Sequence, residues 1–518
     1  MMDIKSMKLP SNWLITSLDS ICEILDSKRI PINNTERNAR IAGKESLQLY
    51  AYYGATGKVG EIDSFIFEGE YVLVGEDGAP FLEPAKLKAY IAIGKFWVNN
   101  HAHILKSYTS NKYLCHYLNQ FNYSDFVTGT TRLKLNQAAL KSIPVVFAPL
   151  NEQTRIVAKI EELFSELDNG IAALKTARKQ LKVYRQAVLK HAFEGKFTAK
   201  WREENADKLE TPEQLLTRIQ QERDARYQQQ LEEWQAAVKM WEVSGKEGKK
   251  PAQPKKLKQS PLGLVERIIT PKEWRYATLG DLNADVFDGP FGSNLKSSDY
   301  VDNGVRVIRL ENIGEMQFIE DKYSFVSEEK YQQIQNHTVS SGNIIFSSFI
   351  TEGIRVVILP PSIDKAINKA DCFCIRTFGE SYDTRFLAFY LSSRAAFKQI
   401  ESEIHGIGRP RINTTQLKSF VVPVCGIEEQ RQILAKIDLQ VSELDATASN
   451  IKDQLLKAET LRQSILKKAF SGQLVPQDPN DEPASELLAR IKAEKTAQVT
   501  STRKATKRAT LDFELEAT

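Results

Sequence analysis

Long apolar runs are missing from this sequence. No stretch reaches the roughly eighteen apolar residues that a membrane-spanning helix needs, and the first residues, MMDIKSMKLPSNW, lack the apolar core of a secretory signal. The cytoplasm is therefore the expected compartment. Cysteine is scarce as well. Cys22, Cys115, Cys372, Cys374 and Cys425 are odd in number and without CxxC spacing, which excludes a disulfide framework or a structural zinc site and leaves reduced thiols. Nor does either charge dominate. The formal net charge of +4 is weak for a protein that would coat nucleic acid indiscriminately, so any basic surface must be local. A metal set is also lacking: His101 and His103 form an HxH pair that a strand would point to one face, but no third ligand follows at metal spacing, and satisfied or surface histidines fit better. What remains is a chain of 518 residues, 42% hydrophobic and 26% charged, globular in character and too long for one ordinary core.

The chain repeats itself. LNQAALKSIPVVFAPLNEQTRIVAKI, from Leu135, returns as INTTQLKSFVVPVCGIEEQRQILAKI, from Ile412, and the offset of 277 holds without a gap from Leu135 to Gly195, which falls on Gly472. Asn136/Asn413, Leu140/Leu417, Glu152/Glu429, Gln153/Gln430, Arg185/Arg462 and Phe193/Phe470 are among the matched pairs. Weaker echoes flank this segment: LPSNWLITSLDS and TPKEWRYATLGD match Trp13 to Trp274, and PEQLLTRIQ from Pro212 resembles ASELLARIK from Ala484. The chain therefore reads as two copies of one unit, each a variable globular region, a shared helix and a shared short tail. Between the flanks, 21–128 and 282–405 show little similarity. The frame is duplicated and its contents have diverged.

The shared segment reads as a long helix. Pro149 and Asn151 stand at its start as breaker and cap, and apolar residues recur mostly every three or four positions at Ile156, Ile160, Leu163, Leu167, Ile171, Leu174, Leu181 and Val188; Gly195 marks the stop. The second copy repeats the stripe through Ile433, Ile437, Val441, Leu444, Ile451, Leu455, Ala458 and Ile465. Each helix should span roughly 60 to 70 Å at about 1.5 Å per residue. Each stripe must be covered, and the nearest candidate is the other stripe. An ordinary core or dimerisation seam carries the same pattern. Duplication favours a pseudo-two-fold arrangement, with the helices antiparallel and the two globular units at opposite ends.

The variable regions read as α/β or β-rich, with apolar runs FIFEGEYVLV, FWVNNHAHIL, VRVIRL, NIIFSSFI and IRVVIL, each region followed by a helix-like segment (YLCHYLNQF, RFLAFYLSSRAAFKQI). YYGATGKVG, with Tyr53, Thr56 and Lys58, is not a Walker A loop, because only Ala55 and Thr56 separate Gly54 from the Gly57–Lys58 pair and Val59 follows. A basic turn whose amides approach a phosphate and a plain hairpin turn both fit it. GPFGSNLK offers Phe291, Ser293, Asn294 and Lys296 on a permissive loop, and Arg306, Arg309 and Asn312 follow in GVRVIRLENIG; these side chains can bond base edges or phosphates, and a solvated loop beside a charged strand is the other reading. At the edge of the repeat, GTTRLKLN matches GIGRPRIN, pairing Arg132 with Arg409 and Lys134 with Arg411. Two basic side chains at alternate positions after a glycine suit an extended segment gripping a phosphate backbone, although ordinary surface strands alternate charge too.

The expected division is a first globular domain (1–150), a first helix (151–198), a charged helical insert with a basic proline-bearing linker (199–260), a second globular domain (261–425), a second helix (426–473), and a short, partly disordered tail (474–518). The insert reads as a solvated helix or helical hairpin followed by a flexible tether.

This layout resembles the specificity subunits of type I restriction-modification systems. The resemblance covers most of the chain and rests on the tandem organisation, on GPFGSNLK with GVRVIRLENIG, on YYGATGKVG with EYVLVGEDGAP, and on the duplicated LKS…P…EQ…I…KI run. It implies two α/β (α+β) target recognition domains, each reading half of a bipartite sequence in double-stranded DNA, separated by a long antiparallel two-helix coiled coil that docks two methyltransferase subunits. Those partners would bind S-adenosylmethionine and methylate adenine N6; restriction subunits, where present, would bring ATP and magnesium. The chain carries neither NPPF nor DPPY, so it should be the reader and bind no cofactor itself. Two rival classes stand beside this one: an autonomous DNA methyltransferase or nuclease, and a coiled-coil scaffold that binds DNA without reading sequence.

Overall fold

A computed structural model of the chain describes residues 8–256, 270–350, 353–401 and 410–497. They form two compact units, one built from the residues up to Thr176 together with those from Asn450 onward, the other from Ala177–Ser449. Both long helices of the repeat are present as single elements of 44 residues, Leu150–Phe193 and Ile427–Phe470. Each gives its N-terminal part to one unit and its C-terminal part to the other. Among the described residues no helix is long and apolar enough to cross a membrane.

In the first unit a six-stranded sheet runs in the order Cys22–Ile24, Ala102–Ser107, Phe67–Gly75, Ala89–Val98, Tyr50–Gly54, Gly57–Ile62. Only the pairing of Tyr50–Gly54 with Ala89–Val98 is parallel. Alternation explains the continuous apolar run YVLV. Val72 and Val74 pack with Tyr113 and Tyr117 of the helix Asn111–Gln120, while Leu73 joins Phe96, Val98 and Ile104 in a separate cluster on the opposite face. The run FWVNNHAHIL is not one strand: the first ends at Val98 and the next begins at Ala102, with a turn between in which the Asn99 side chain accepts from the His101 amide at 2.9 Å. His101 therefore sits in the turn and does not share a strand face with His103.

The second unit has a four-stranded sheet, Ala284–Phe287, Cys372–Thr377, Ile344–Ser347, Val356–Ile358, and a five-stranded one, Tyr300–Val301, Phe325–Val326, Val305–Ile308, Ala366–Asn368, Thr338–Val339. The lobes thus differ in their sheets as they differ in sequence. Their frames agree closely. A two-stranded antiparallel ladder closes each lobe, Leu14–Ser17 with Pro144–Phe147 in one and Arg275–Thr278 with Val421–Val424 in the other. Tyrosine hydroxyls donate to the same carbonyls in both: Tyr117 and Tyr113 to Pro144 and Val146, Tyr390 and Tyr382 to Val421 and Pro423.

The Glu-Gln pair at each helix start has a structural cause. Gln153 and Gln430 donate to the carbonyls of Ala148 and Cys425, both at 2.8 Å, tying the helix to the strand before it. Glu152 and Glu429 accept from the indoles of Trp13 and Trp274 at 2.7 and 2.9 Å. At the far ends, Phe193 packs edge-on against Phe386 and Tyr390, and Phe470 against Tyr113 and Tyr117. Gly195 and Gly472 follow with φ of +66° and +73°, and a Cβ at either would collide with the ring of Pro271 or Pro10.

Within each unit the two helix segments run antiparallel. Asp168 pairs with Arg462 in the first, and Arg185 with Asp445 at 3.0 Å in the second. Because 277 carries Asp168 to Asp445 and Arg185 to Arg462, this is one contact made twice, once in each unit, with the roles of the two helices exchanged. The expected stripe is its apolar line. Ile156, Ile160, Val188, Ile433, Ile437, Leu444, Ile451, Ala458 and Ile465 are buried, and the intervening stripe positions are half-buried.

The tails also belong to the cores. Leu215 and Ile219 of the helix Pro212–Val243 lie in the second unit's core, and their counterparts Leu487 and Ile491, in a helical segment at 484–497, lie in the first unit's. The insert is therefore solvated only beyond its first turns. The part of the expected disordered tail that follows residue 497 lies outside the described residues.

Candidate nucleic-acid interface

The junction before each long helix carries the matched basic residues. In the first unit it is a closed turn and not an extended segment: Thr128 and Lys134 exchange backbone hydrogen bonds of 2.9 and 2.8 Å, with Gly129 at φ +98°. A Cβ on Gly129 would stand 2.6 Å from the Arg132 carbonyl, so the turn needs glycine there. The next residues dock on the loop after strand Phe67–Gly75. The Leu135 amide donates to Glu76 O at 2.7 Å and the Gly78 amide to Leu133 O at 3.1 Å. The second unit repeats this: Ile412 donates to Ser348 O at 3.1 Å and Ile350 to Pro410 O at 3.2 Å. Since Leu133 and Leu135 match Pro410 and Ile412, the loop at Glu76–Gly78 and the loop at Ser348–Ile350 occupy equivalent places although their sequences are unlike.

Acidic side chains face the basic ones, from the Glu76–Gly78 loop in the first unit and from the turn before strand Cys372–Thr377 in the second. Arg132 reaches Asp77 at 2.7 Å and Lys134 reaches Glu76 at 3.4 Å, while Arg411 lies 3.5 Å from Asp371 and over the ring of Phe349 at 4.2 Å. Arg132 is 62% exposed, so its ion pair is worth about 0 to 1 kcal/mol and yields readily to a phosphate. Arg409 lies outside the described residues.

Behind the first loop stands a buried polar network. His103 places Nδ1 2.6 Å from Asp26 and Nε2 2.8 Å from the Leu135 carbonyl, the Gln137 amide donates to Asp26 at 3.1 Å, and Arg29 bridges Asp26 to Glu76. Burial alone would raise the Asp26 pKa, but the His103 hydrogen bond and charge, the Ile104 amide and Arg29 together bring it below the usual range. His103 is thus a satisfied core histidine that fixes the junction to the lobe. Among the described residues no group of three His, Cys, Asp or Glu gathers in metal-binding geometry. All five cysteines are free and buried, and burial pushes the thiols of Cys22, Cys115 and Cys374 up to about 12.

The remaining expected site residues divide. Phe291, Ser293, Asn294 and Lys296 are exposed on a loop anchored by buried Leu295, with a tight turn from the Asn294 amide to Phe291 O at 2.7 Å. Gly289 at its base is in close contact with the backbone of Asn368 to Ala370, where no side chain fits. The hairpin at Tyr53–Lys58 is a plain two-residue turn: Thr56 is exposed at its tip, Lys58 pairs with Glu61 at 3.0 Å, and Tyr53 packs inward on Tyr90 and Phe96.

Asn312 is corrected as a contact residue, and Arg306 is half-buried within its own lobe. Asn312 is 1% exposed, accepts from the Arg309 amide at 2.9 Å, and donates to the carbonyls of Ile319 and Lys322, so it builds its loop and presents nothing outward. Arg306 lies between the rings of Phe318 and Tyr323, 5.1 and 4.7 Å from their centroids, and donates to Glu320 O. Arg309 is more accessible, held by Glu311 at 3.2 Å and Ser324 at 3.1 Å. Asp77, Phe349 and Asp371, which grip the junction, were not legible, because the lobes show no alignment that would have placed them together.

The chain thus carries two unlike β-rich lobes, each joined to a copy of one duplicated frame with basic side chains at the junction. The profile described as Type I restriction modification DNA specificity domain matches this chain twice, over residues 10–177 and 271–457. The chain belongs to that family. Its relatives include the EcoDI specificity subunit of Escherichia coli, 22% identical over 508 residues that cover 95% of this chain and 97% of that one. A Haemophilus influenzae protein assigned as a type I restriction enzyme specificity subunit is 36% identical over 148 residues, 28% of this chain and only 36% of that protein. A chain from a structural study of complex assembly and conformational transition in the type I restriction-modification system shares the fold, with a TM-score of 0.56 and 16% identity over 90% of this chain and all of that one.

Proposed function

We propose that this chain reads an asymmetric bipartite DNA target and docks methyltransferase subunits on its paired helices. The observation that carries the reading is the doubled frame with unlike contents: the Trp–Glu, Tyr–carbonyl and Arg–Asp contacts occur twice, whereas the sheets they hold differ. A repeated frame offers two equivalent seats for one kind of partner. Unlike lobes offer two different half-sites. Half-sites about one helical turn apart, roughly 34 to 36 Å, face one side of a duplex, a distance that helices of 44 residues can cover at about 1.5 Å per residue.

On this reading Arg132, Lys134, Arg409 and Arg411 position each lobe on phosphates, and the loop at Phe291–Lys296 and the loops beside each junction meet bases. The partners supply S-adenosylmethionine and flip the target adenine; a restriction partner would supply ATP and magnesium. The chain itself binds neither cofactor and is not the catalyst. Mapping methylated adenines in cells that express this chain with its methyltransferase tests the reading. Two unlike half-sites at one constant gap are expected, and methylation independent of the chain would overturn it. Arg132→Ala and Arg409→Ala should each weaken DNA binding and lower its salt slope by about 1; unchanged affinity in both would remove the junctions from the interface.

A further inference from the structure

The helix Pro212–Val243 has two parts with different surroundings. Up to Arg226 it belongs to the second unit: Leu215 and Ile219 are in its core, Arg223 donates to Asp281 O at 2.9 Å, and Arg226 stacks on Phe378 at 3.4 Å and pairs with Asp285. From Tyr227 to Val243 the helix continues for about 25 Å at about 1.5 Å per residue. There the chain reverses through Gly245 at φ +78° and Lys246 at φ +64° and returns along the helix as GKEGKKPAQPKK. This segment, expected to be a flexible tether, is held in place. The Trp241 indole donates to Gly248 O at 3.3 Å, the Trp234 indole to Pro251 O at 3.0 Å, and Lys256 closes on Asp224 at 3.0 Å.

The ribbon's charge is unbalanced. Lys246, Lys249, Lys250 and Lys255 are exposed, and among the described residues none of the four forms an ion pair, with Glu247 the only acid between them. A free segment of that charge would spread to relieve its repulsion. Here two indole N–H groups bind its carbonyls and the backbone is fixed; the Lys250 ammonium lies over the Trp241 ring, 6.0 Å from its centroid, and those of Lys246, Lys249 and Lys255 are left to solvent. Like charges held on one short segment repel, a polyanion relieves that repulsion, and a backbone fixed in advance loses little freedom on meeting one.

We propose that this ribbon is a second DNA contact that grips the phosphate backbone without reading sequence, separate from the recognition lobes. The inference rests on the reading above that the chain binds double-stranded DNA. It assigns to the insert a share of affinity and none of specificity, because exposed lysines on an arm outside the recognition lobes act on phosphates as point charges, and contacts to phosphates carry no sequence information.

The test uses the full chain and a fluorescent duplex of arbitrary sequence, with Kd measured across a salt series. Replacing Lys246, Lys249, Lys250 and Lys255 by Gln should lower the slope of log K against log salt by about 2 to 4, at roughly 0.9 per phosphate contact. The variant should still methylate the wild-type target sequence when combined with its methyltransferase. Trp234→Phe with Trp241→Phe, which removes both indole donors and keeps every lysine, should retain the slope and weaken binding severalfold at each salt concentration. A wild-type chain that binds the duplex while the lysine variant shows the same slope overturns the ribbon alone. A lysine variant that keeps the slope and loses its subunit partners overturns it in favour of a protein-docking arm. A wild-type chain with no affinity for any duplex overturns both this inference and the reading beneath it.

Discussion

At the scale of single residues, the two copies of the frame solve one problem with different chemistry. Glu152 and Glu429 hold the same position and the same indole bond. The first takes its other partner from neutral Gln477, the second from Thr198 and the guanidinium of Arg202 at 2.7 and 2.9 Å. Removing the cation should therefore cost more than removing the amide. Arg202→Leu, which leaves a buried carboxylate without its counter-charge, is expected to destabilise the second unit by about 3 to 5 kcal/mol. Gln477→Leu should destabilise the first by about 1 to 3 kcal/mol. Chemical denaturation of the full chain reads both, and equal losses would contradict the distinction. Burial raises the pKa of both glutamates. Over the pH window between the ordinary glutamate range and the raised values, the native state binds protons that the unfolded chain releases, so stability falls as pH rises. Glu152→Gln removes one of these groups without stranding Arg155, which Asp481 holds at 2.6 Å. Its Tm should fall less steeply with pH across that window than the wild type's, and parallel profiles would refute the assignment.

At the scale of elements, periodicity carried the long helices and failed in the lobes. Expected as 151–198 and 426–473, the helices run Leu150–Phe193 and Ile427–Phe470. A stripe recurring every three or four residues over so many turns admits one backbone conformation, and a glycine whose Cβ site is filled by proline can only end it. The lobes gave no such redundancy. FWVNNHAHIL hides a turn because Asn99 and His101 bond locally, and Asn312 looked like a contact residue because nothing in a sequence distinguishes an amide facing solvent from one facing three backbone groups. The equivalence of the Glu76 and Ser348 loops is a matter of backbone register, which side-chain identity does not record. The stripe itself makes a prediction. Leu444 is 8% exposed on the seam and Leu439 is 60% exposed off it. Leu444→Ala should cost about 2 to 5 kcal/mol, whereas Leu439→Ala should stay within about 0.5 kcal/mol. Similar losses from both would mean that the seam is not where the helices are held.

At the scale of the whole molecule, the proposed reading has duplication separate two tasks, docking and recognition, that a single domain would have to reconcile. The frame has kept its contacts, so a change in one copy has a counterpart in the other, while the lobes are free to differ because little of their sheet structure enters the seam. If the paired helices set the distance between half-sites, as proposed, that distance is a property of helix length and can be changed without altering either lobe. Inserting one heptad into each helix, at the matched positions Lys175 and Lys452, keeps the stripe in phase. It adds roughly 10 Å of rise at about 1.5 Å per residue. At about 3.4 Å per base pair the gap between methylated adenines should widen by about three base pairs with both half-sites unchanged. Inserting the heptad into only one helix puts the pairs Asp168–Arg462 and Arg185–Asp445 out of register with one another, so that both cannot form at once, and should abolish methylation altogether. An unchanged gap in the doubly lengthened chain would show that something other than the helices fixes the spacing.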